Sequence, residues 1–85
     1  HKKAKDIAQL LIRMPWTDNV EPVETNIVIF TVKAPITPAQ LMQKLKEKNI
    51  YISDMGQGKL RFVTHLDYKQ VMHDYVLEAI ERITF

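Results

Sequence analysis

Residues 58–67 read Gly58-Lys59-Leu60-Arg61-Phe62-Val63-Thr64-His65-Leu66-Asp67, a strand-forming run that carries one arginine in an apolar setting. Side chains alternate between the two faces of a strand. One face then holds Leu60, Phe62 and Leu66, and the opposite face holds Arg61, Val63 and His65. Arginine is a permanently charged planar donor that pairs with carboxylates and phosphates. Two interpretations of Arg61 follow: a structural ion pair with Glu24, Asp54 or Asp67, which the residues alone favour, and a site that binds an external anion.

Outward from this run, apolar spacing predicts the element order αβαββα. Residues 2–13 have helical spacing and end before Pro15, residues 16–25 are a loop, and residues 26–32 give the strongest strand signal. Thr37 is predicted to be the N-cap of a second helix that reaches about residue 48, with Pro38 in its first position and Gln40 closing a capping box.

The second half of the chain predicts two short strands and a helix. Residues 50–53 form a strand, residues 54–58 a turn and residues 59–64 a third strand. Asp67 is predicted to be the N-cap of the last helix, with Gln70 three residues later. The apolar stripe of that helix is Val71, Met72, Tyr75, Val76, Ala79, Ile80 and Ile83.

The predicted fold class is therefore α+β, with residues 1–85 as one domain and a three-stranded sheet whose helices pack mainly on one face. The strand at 26–32 is apolar on both faces, because Ile27 and Ile29 alternate with Val28 and Phe30. Strands of this kind are normally covered on both faces. Two interpretations follow: a compact two-layer domain, or a sheet face that docks on an absent domain or subunit.

Composition excludes several classes of function. The 85 residues contain 12 Lys and Arg against 10 Asp and Glu, and this near balance gives little support to nucleic acid binding. No apolar run approaches the roughly 20 residues of a membrane helix. The absence of cysteine removes thiol catalysis and cysteine-ligated metal sites, and it is compatible with the cytoplasm, where we expect the protein.

His65 has two interpretations. It could bind a metal ion together with Asp67 and His73, but three scattered ligands have no metal-binding signature, so we expect no metal. We predict instead a packed, hydrogen-bonded histidine. Gly56-Gln57-Gly58 precedes a strand instead of opening a helix, which predicts a tight turn and not a phosphate loop.

Residues 61–67, together with Glu24-Thr25-Asn26-Ile27-Val28 upstream, resemble the C-terminal small domain of the low-specificity L-threonine aldolases. These are pyridoxal-phosphate enzymes of the aspartate-aminotransferase fold, and the resemblance covers nearly the whole chain. It implies cleavage of L-threonine or L-allo-threonine to glycine and acetaldehyde, with the cofactor as electron sink. It also implies that Arg61 binds the α-carboxylate of the amino-acid substrate. The full enzyme would be a cytoplasmic homotetramer.

The resemblance further implies that the chain is a fragment whose partner is the large pyridoxal-phosphate-binding domain of the same polypeptide. The Schiff-base lysine and the other cofactor-binding residues of the family lie in that large domain. We therefore expect no catalytic and no cofactor-binding residue in this chain, which should be inactive alone. Two alternatives stay open: the small domain of a related pyridoxal-phosphate β-eliminating lyase, and a stand-alone amino-acid-binding regulatory module of ferredoxin-like shape.

Overall fold

The computed structural model describes residues 1–65 and 67–85, so the strand face assigned above to Leu66 lies outside the described residues. These residues form α1 (Lys2–Arg13), β1 (Thr17–Val20), β2 (Ile27–Val32), α2 (Pro38–Lys46), β3 (Ser53–Gly56), β4 (Lys59–Val63) and α3 (Gln70–Glu81). The strands make one antiparallel sheet in the order β1-β2-β4-β3. The α+β class is confirmed. The predicted strand count was wrong, because the described residues form four strands and not three.

The additional strand, β1, lies in the segment that the sequence predicted to be a loop. Asp18 and Asn19 are typical of turns, so their side chains give no strand signal in the sequence. β1 pairs with β2 through its backbone, with an irregular register between Thr17 and Asn19. Polar residues are common on an edge strand, because its backbone hydrogen bonds do not require apolar side chains.

The strand predicted at residues 50–53 is displaced toward the C-terminus. β3 runs from Ser53 to Gly56 and pairs with β4, although all of its residues are exposed. The turn is shorter than predicted, since its tip is Gln57 and Gly58, both with positive φ angles of 56° and 81°. Ile50 lies in the core instead of in a strand.

The first two helices follow their sequence signals closely. α1 has the predicted bounds, and Ala4, Ile7, Ala8 and Leu11 are buried, while Ile12 at the edge of the stripe is exposed. In α2, Thr37 Oγ1 accepts a hydrogen bond from the Gln40 backbone N–H at 3.2 Å, and Gln40 Oε1 accepts one from the Thr37 N–H at 2.8 Å. The predicted capping box is therefore present.

The start and the orientation of α3 differ from the prediction. Asp67 is not its N-cap: that position is Lys69, which makes no side-chain capping bond. The reason is a turn before the helix, in which the Tyr68 N–H donates to the His65 carbonyl at 2.9 Å. The apolar arc of α3 is also wider than its contact with the core, so Val71, Met72 and Tyr75 are exposed, whereas Val76, Ala79, Ile80 and Ile83 are buried.

The helices pack on one face of the sheet, as predicted. That face carries the buried residues Val28 and Phe30 of β2 and Leu60 and Phe62 of β4. A small internal space of about 10 Å³ is lined by residues of all three described helices together with Phe30 and Phe62. The opposite face, called the open face below, carries Ile27, Ile29, Arg61 and Val63. In the described part of the chain, no helix is long and apolar enough to cross a membrane.

The capping box leads to a prediction about stability. Replacing Thr37 by alanine removes the side-chain acceptor at the start of α2, so we expect the free energy of unfolding to fall by about 1 kcal/mol. Urea unfolding measures this loss. Thr84→Ala is the matched control, because Thr84 is exposed and lies outside every helix and strand; an equal loss in both variants would contradict the role of the cap.

Candidate functional site

Arg61 lies on the open face of the sheet. Its strand, β4, is an inner strand between β2 and β3. The register places Ile29 on one side of Arg61 and Ser53 on the other. Arg61 is exposed, whereas its sequence neighbours Leu60 and Phe62 are buried on the helix-covered face. The predicted alternation of β4 is confirmed over these residues, and the arginine projects from the middle of the sheet.

The surroundings of Arg61 on the open face are partly apolar. Ile27 and Ile29 are half-buried there although no helix covers them, and Val63 is half-buried beside Ile27. Lys59, two residues before Arg61, forms an ion pair with Glu21 at 2.8 Å. On the open face Arg61 therefore lies opposite one aliphatic residue, Ile29, and beside the ion pair of Lys59 with Glu21.

The structural ion pair weighed as an alternative for Arg61 is not formed within residues 1–65 and 67–85. Neither Glu24, Asp54 nor Asp67 makes a salt bridge with its guanidinium. The Asp54 side chain instead binds the backbone of the β3–β4 hairpin, where its Oδ1 accepts a hydrogen bond from the Gly56 N–H at 2.7 Å. The fork of Arg61 is therefore available to an anion from outside these residues.

The carboxyl end of β4 is tied to the start of β2 by Asn26 and Thr64. The Thr64 N–H and Oγ1 both donate to the Asn26 carbonyl, at 2.9 Å and 3.2 Å. Asn26 Nδ2 donates back to the Thr64 carbonyl at 3.1 Å. Thr25 Oγ1 accepts from the Ile27 N–H at 3.1 Å. The two segments that carry the family resemblance are thus neighbours, and their polar residues fix the end of the strand that holds Arg61.

His65 is exposed, and the prediction of a packed histidine was wrong. Its carbonyl closes the turn that precedes α3, and it is Tyr68 of the same turn that is buried. The alternative metal site is not assembled either. Among the residues that the structure describes, no group of three or more His, Asp or Glu side chains could hold a metal ion.

A buried polar cluster, which the sequence reasoning missed, joins α1 to α3. His73 is 1% exposed. Its Nε2 lies 3.1 Å from Asp6 Oδ2, and its Nδ1 lies 2.9 Å from the Tyr68 hydroxyl. The hydrogen bond from His73 lowers the pKa of Asp6, and burial raises the pKa of Tyr68. The sequence did contain a signal for the burial of His73. It precedes Val76 by three residues and Ile80 by seven, and this spacing places it on the core side of α3.

A groove next to this cluster is lined mainly by apolar side chains. Its volume is about 590 Å³, and it lies between α3 and the segment after α2. Four exposed apolar side chains form its rim. They are Tyr51, Val71, Met72 and Tyr75, which are 69%, 75%, 45% and 52% exposed. The Tyr75 hydroxyl donates to the Lys48 carbonyl at 2.9 Å, which fixes one wall. Exposed apolar side chains that are grouped in this way are typical of a contact surface.

Comparison with known proteins identifies the fold and no family. No family model and no curated protein matches the chain. Among solved structures, the chain is similar to a decarboxylase from Sulfurospirillum multivorans, with a TM-score of 0.73 and 16% sequence identity. The match covers 94% of this chain and 23% of that chain. The similarity shows that the same fold occurs as less than a quarter of a longer polypeptide.

The surroundings of Arg61 predict that it contributes little to folding. Arg61→Ala should change the free energy of unfolding by no more than about 0.5 kcal/mol, because the side chain is exposed and forms no ion pair with the described residues. Leu60→Ala, one residue earlier and fully buried, should cost about 2–5 kcal/mol. Denaturant unfolding of both variants tests the contrast, and a large loss in Arg61→Ala would restore the structural interpretation.

Proposed function

We propose that the chain is the C-terminal small domain of a pyridoxal-phosphate-dependent threonine aldolase, and that Arg61 binds the α-carboxylate of the amino-acid substrate. The observation that carries the proposal is Arg61 itself, exposed on an inner strand without an ion pair to any described residue. Support comes from the resemblance of residues 61–67 to the aldolase segment. Further support comes from the similar fold found in one part of a longer decarboxylase.

Arg61 suits the carboxylate for reasons of geometry. A guanidinium binds a carboxylate through two parallel N–H···O bonds, which fix both the position and the rotation of the ligand. In a bond-cleaving reaction at Cα, that rotation decides which bond is aligned for cleavage. The inner strand gives the arginine a rigid base, since β4 is hydrogen-bonded on both sides and Asn26 holds its end.

The proposed partner is the large domain of the same enzyme, docked on the open face. Ile27 and Ile29 are apolar side chains that no described helix covers, and Ile29 lies directly opposite Arg61. A domain placed against them would bury these side chains and close the carboxylate site from the opposite side. The proposal includes the cytoplasmic homotetramer of the resembling family, whose subunits would bring further contact surfaces together.

The residues of this chain do not fit pyridoxal phosphate by themselves. No lysine among residues 1–65 and 67–85 is buried. Gly56 and Gly58 belong to an exposed hairpin with open space around their Cα atoms, and they do not open a helix that could receive a phosphate. The cofactor, held by the large domain, would supply the electron sink. This chain would bind and orient the substrate, so its isolated form is expected to be inactive.

Decarboxylation is the second candidate reaction, and one observation favours it: the similar structure is a decarboxylase. Decarboxylation of an amino acid would also break a bond at Cα, and the orientation of the carboxylate would decide whether that bond is aligned for cleavage. The products distinguish the two reactions. With L-threonine, an aldolase releases acetaldehyde and glycine, whereas a decarboxylase releases carbon dioxide and an amine.

The role of Arg61 is tested in the complete enzyme. Arg61→Lys keeps the charge but loses the planar fork, so we expect KM to rise and kcat to fall together. Steady-state assays of acetaldehyde release measure both constants. Arg82→Lys is the matched control, because Arg82 is exposed and pairs with Glu78 on α3. Unchanged kinetics in a folded Arg61→Lys enzyme would remove Arg61 from the site.

The expectation that this chain holds no cofactor is tested on the chain alone. With pyridoxal phosphate and L-threonine added, we expect no acetaldehyde and no new absorbance band that borohydride fixes to one lysine. Modification of a single lysine, identified by peptide mass, would show that this chain holds the cofactor. Saturable binding of free L-threonine in calorimetry, without cofactor, would instead favour the stand-alone amino-acid-binding module.

A further inference from the structure

The cluster Asp6–His73–Tyr68 joins α1 to α3 and to the turn that precedes α3. Asp6 is partly accessible, with 32% of its side chain exposed, and it also contacts Lys2 at 3.4 Å. His73 and Tyr68 are buried, with 1% and 7% exposure. Solvent reaches the cluster at the carboxylate of Asp6, and His73, its most buried member, joins that carboxylate to the Tyr68 hydroxyl.

Tyr68 is also part of the turn that presents His65. Its backbone N–H donates to the His65 carbonyl at 2.9 Å. Its ring packs edge-on against Phe62 of β4 and against His73, with ring centroids 5.8 Å and 5.4 Å apart. The connection from β4 to α3 is thus fixed at both ends, by Asn26 at Thr64 and by His73 at Tyr68.

The proton arrangement couples the two ends of the cluster. When Asp6 is ionised it can only accept, so His73 Nε2–H donates to it. The Nδ1 atom of a neutral imidazole then accepts the Tyr68 O–H. Protonation of Asp6 removes the negative charge that holds the Nε2–H in this orientation. A ring that then turns away leaves Nδ1 and the Tyr68 hydroxyl without each other, and an unmade buried hydrogen bond is costly.

We propose that Asp6, His73 and Tyr68 form a latch in which the ionised carboxylate on α1 holds Tyr68, and with it the backbone bond from Tyr68 to His65, in place. His73 acts as the positioning residue, since it is the group that contacts both Asp6 and Tyr68. The latch goes beyond the proposed function and does not rest on it, because it concerns the turn whatever ligand Arg61 binds.

The charged and titratable groups around His73 come from several elements. α1 contributes Asp6 and Lys2, and the turn contributes Tyr68. On α3 itself, Asp74 follows His73 and accepts a hydrogen bond from Gln70 at 2.8 Å, and the His73 N–H donates to the Lys69 carbonyl. β4 faces the cluster with Phe62, which does not titrate. The carboxylate that contacts His73 is that of Asp6, which makes Asp6 the group to vary.

The latch is tested by amide hydrogen exchange of this chain, measured by nuclear magnetic resonance. In Asp6→Ala, exchange of the Tyr68 amide should be about three- to tenfold faster, the effect of one lost hydrogen bond, while the amides between β2 and β4 keep their rates. Asp6→Asn retains an acceptor without the charge and should restore part of the protection. Glu78→Ala is the control, because Glu78 is an exposed α3 carboxylate paired with Arg82.

A spectroscopic readout separates the latch from simple stabilisation. The nitrogen chemical shifts of the His73 ring report which nitrogen carries the proton, and Tyr68→Phe should alter them while leaving the β2–β4 amides unchanged. The pKa of Asp6 lies below its ordinary value of 3.8, so its stabilisation is complete above that value and is lost as the pH falls through the folded-state pKa. Protection of the Tyr68 amide should follow this loss in the parent chain and not in Asp6→Asn.

Two results would overturn the latch. One is an unchanged Tyr68 amide in folded Asp6→Ala. The other is equal acceleration of the Tyr68 amide and of the β2–β4 amides, which would mean that Asp6 stabilises the whole fold without acting on the turn. If Asp6→Ala does not fold, the comparison of Asp6→Asn with the parent chain across pH decides the question.

Discussion

The antiparallel pairing of β2 with β4 is the interaction on which the rest of the structure depends. Its register sets Val28 opposite Phe62 and Phe30 opposite Leu60, and these four side chains form the sheet side of the core. The same register sets Ile29 opposite Arg61 on the other face. A shift of β4 by one residue would bury Arg61 and expose Leu60 and Phe62. The burial of the core therefore also determines where the charge is placed.

The parts of the fold that the sequence predicted well are those in which side chains carry the signal. The apolar spacing of α1 predicted its bounds, and Thr37, Pro38 and Gln40 predicted the start of α2, because a cap is a local hydrogen-bonded arrangement. β1 and β3 were missed or displaced for the opposite reason. Both are edge strands with mainly polar side chains, and their pairing is made by backbone groups that the sequence pattern does not reveal.

The candidate site also has residues whose places the sequence predicted and residues whose places it did not. Alternation along β4 predicted that Arg61 faces away from the core, since the period of a strand is a local property. The places of His65 and Asp67 depend on the turn between β4 and α3, whose closing bond joins Tyr68 to His65. His73 was missed because it contacts Asp6, which is 67 positions away in sequence. A contact over such a distance becomes visible once α1 and α3 are packed together.

The buried pair of His73 and Tyr68 differs from Arg61 in whether folding requires a hydrogen-bond partner. His73 and Tyr68 are buried, and a buried polar group must find a partner within the protein, which they do in one another and in Asp6. Arg61 is exposed, and water satisfies its donors, so folding imposes no partner on it. The stability of the fold thus accounts for the histidine and leaves the arginine without a structural reason. A cation that the fold does not need, held on an inner strand opposite the half-buried Ile29, is the feature on which the proposed carboxylate site rests.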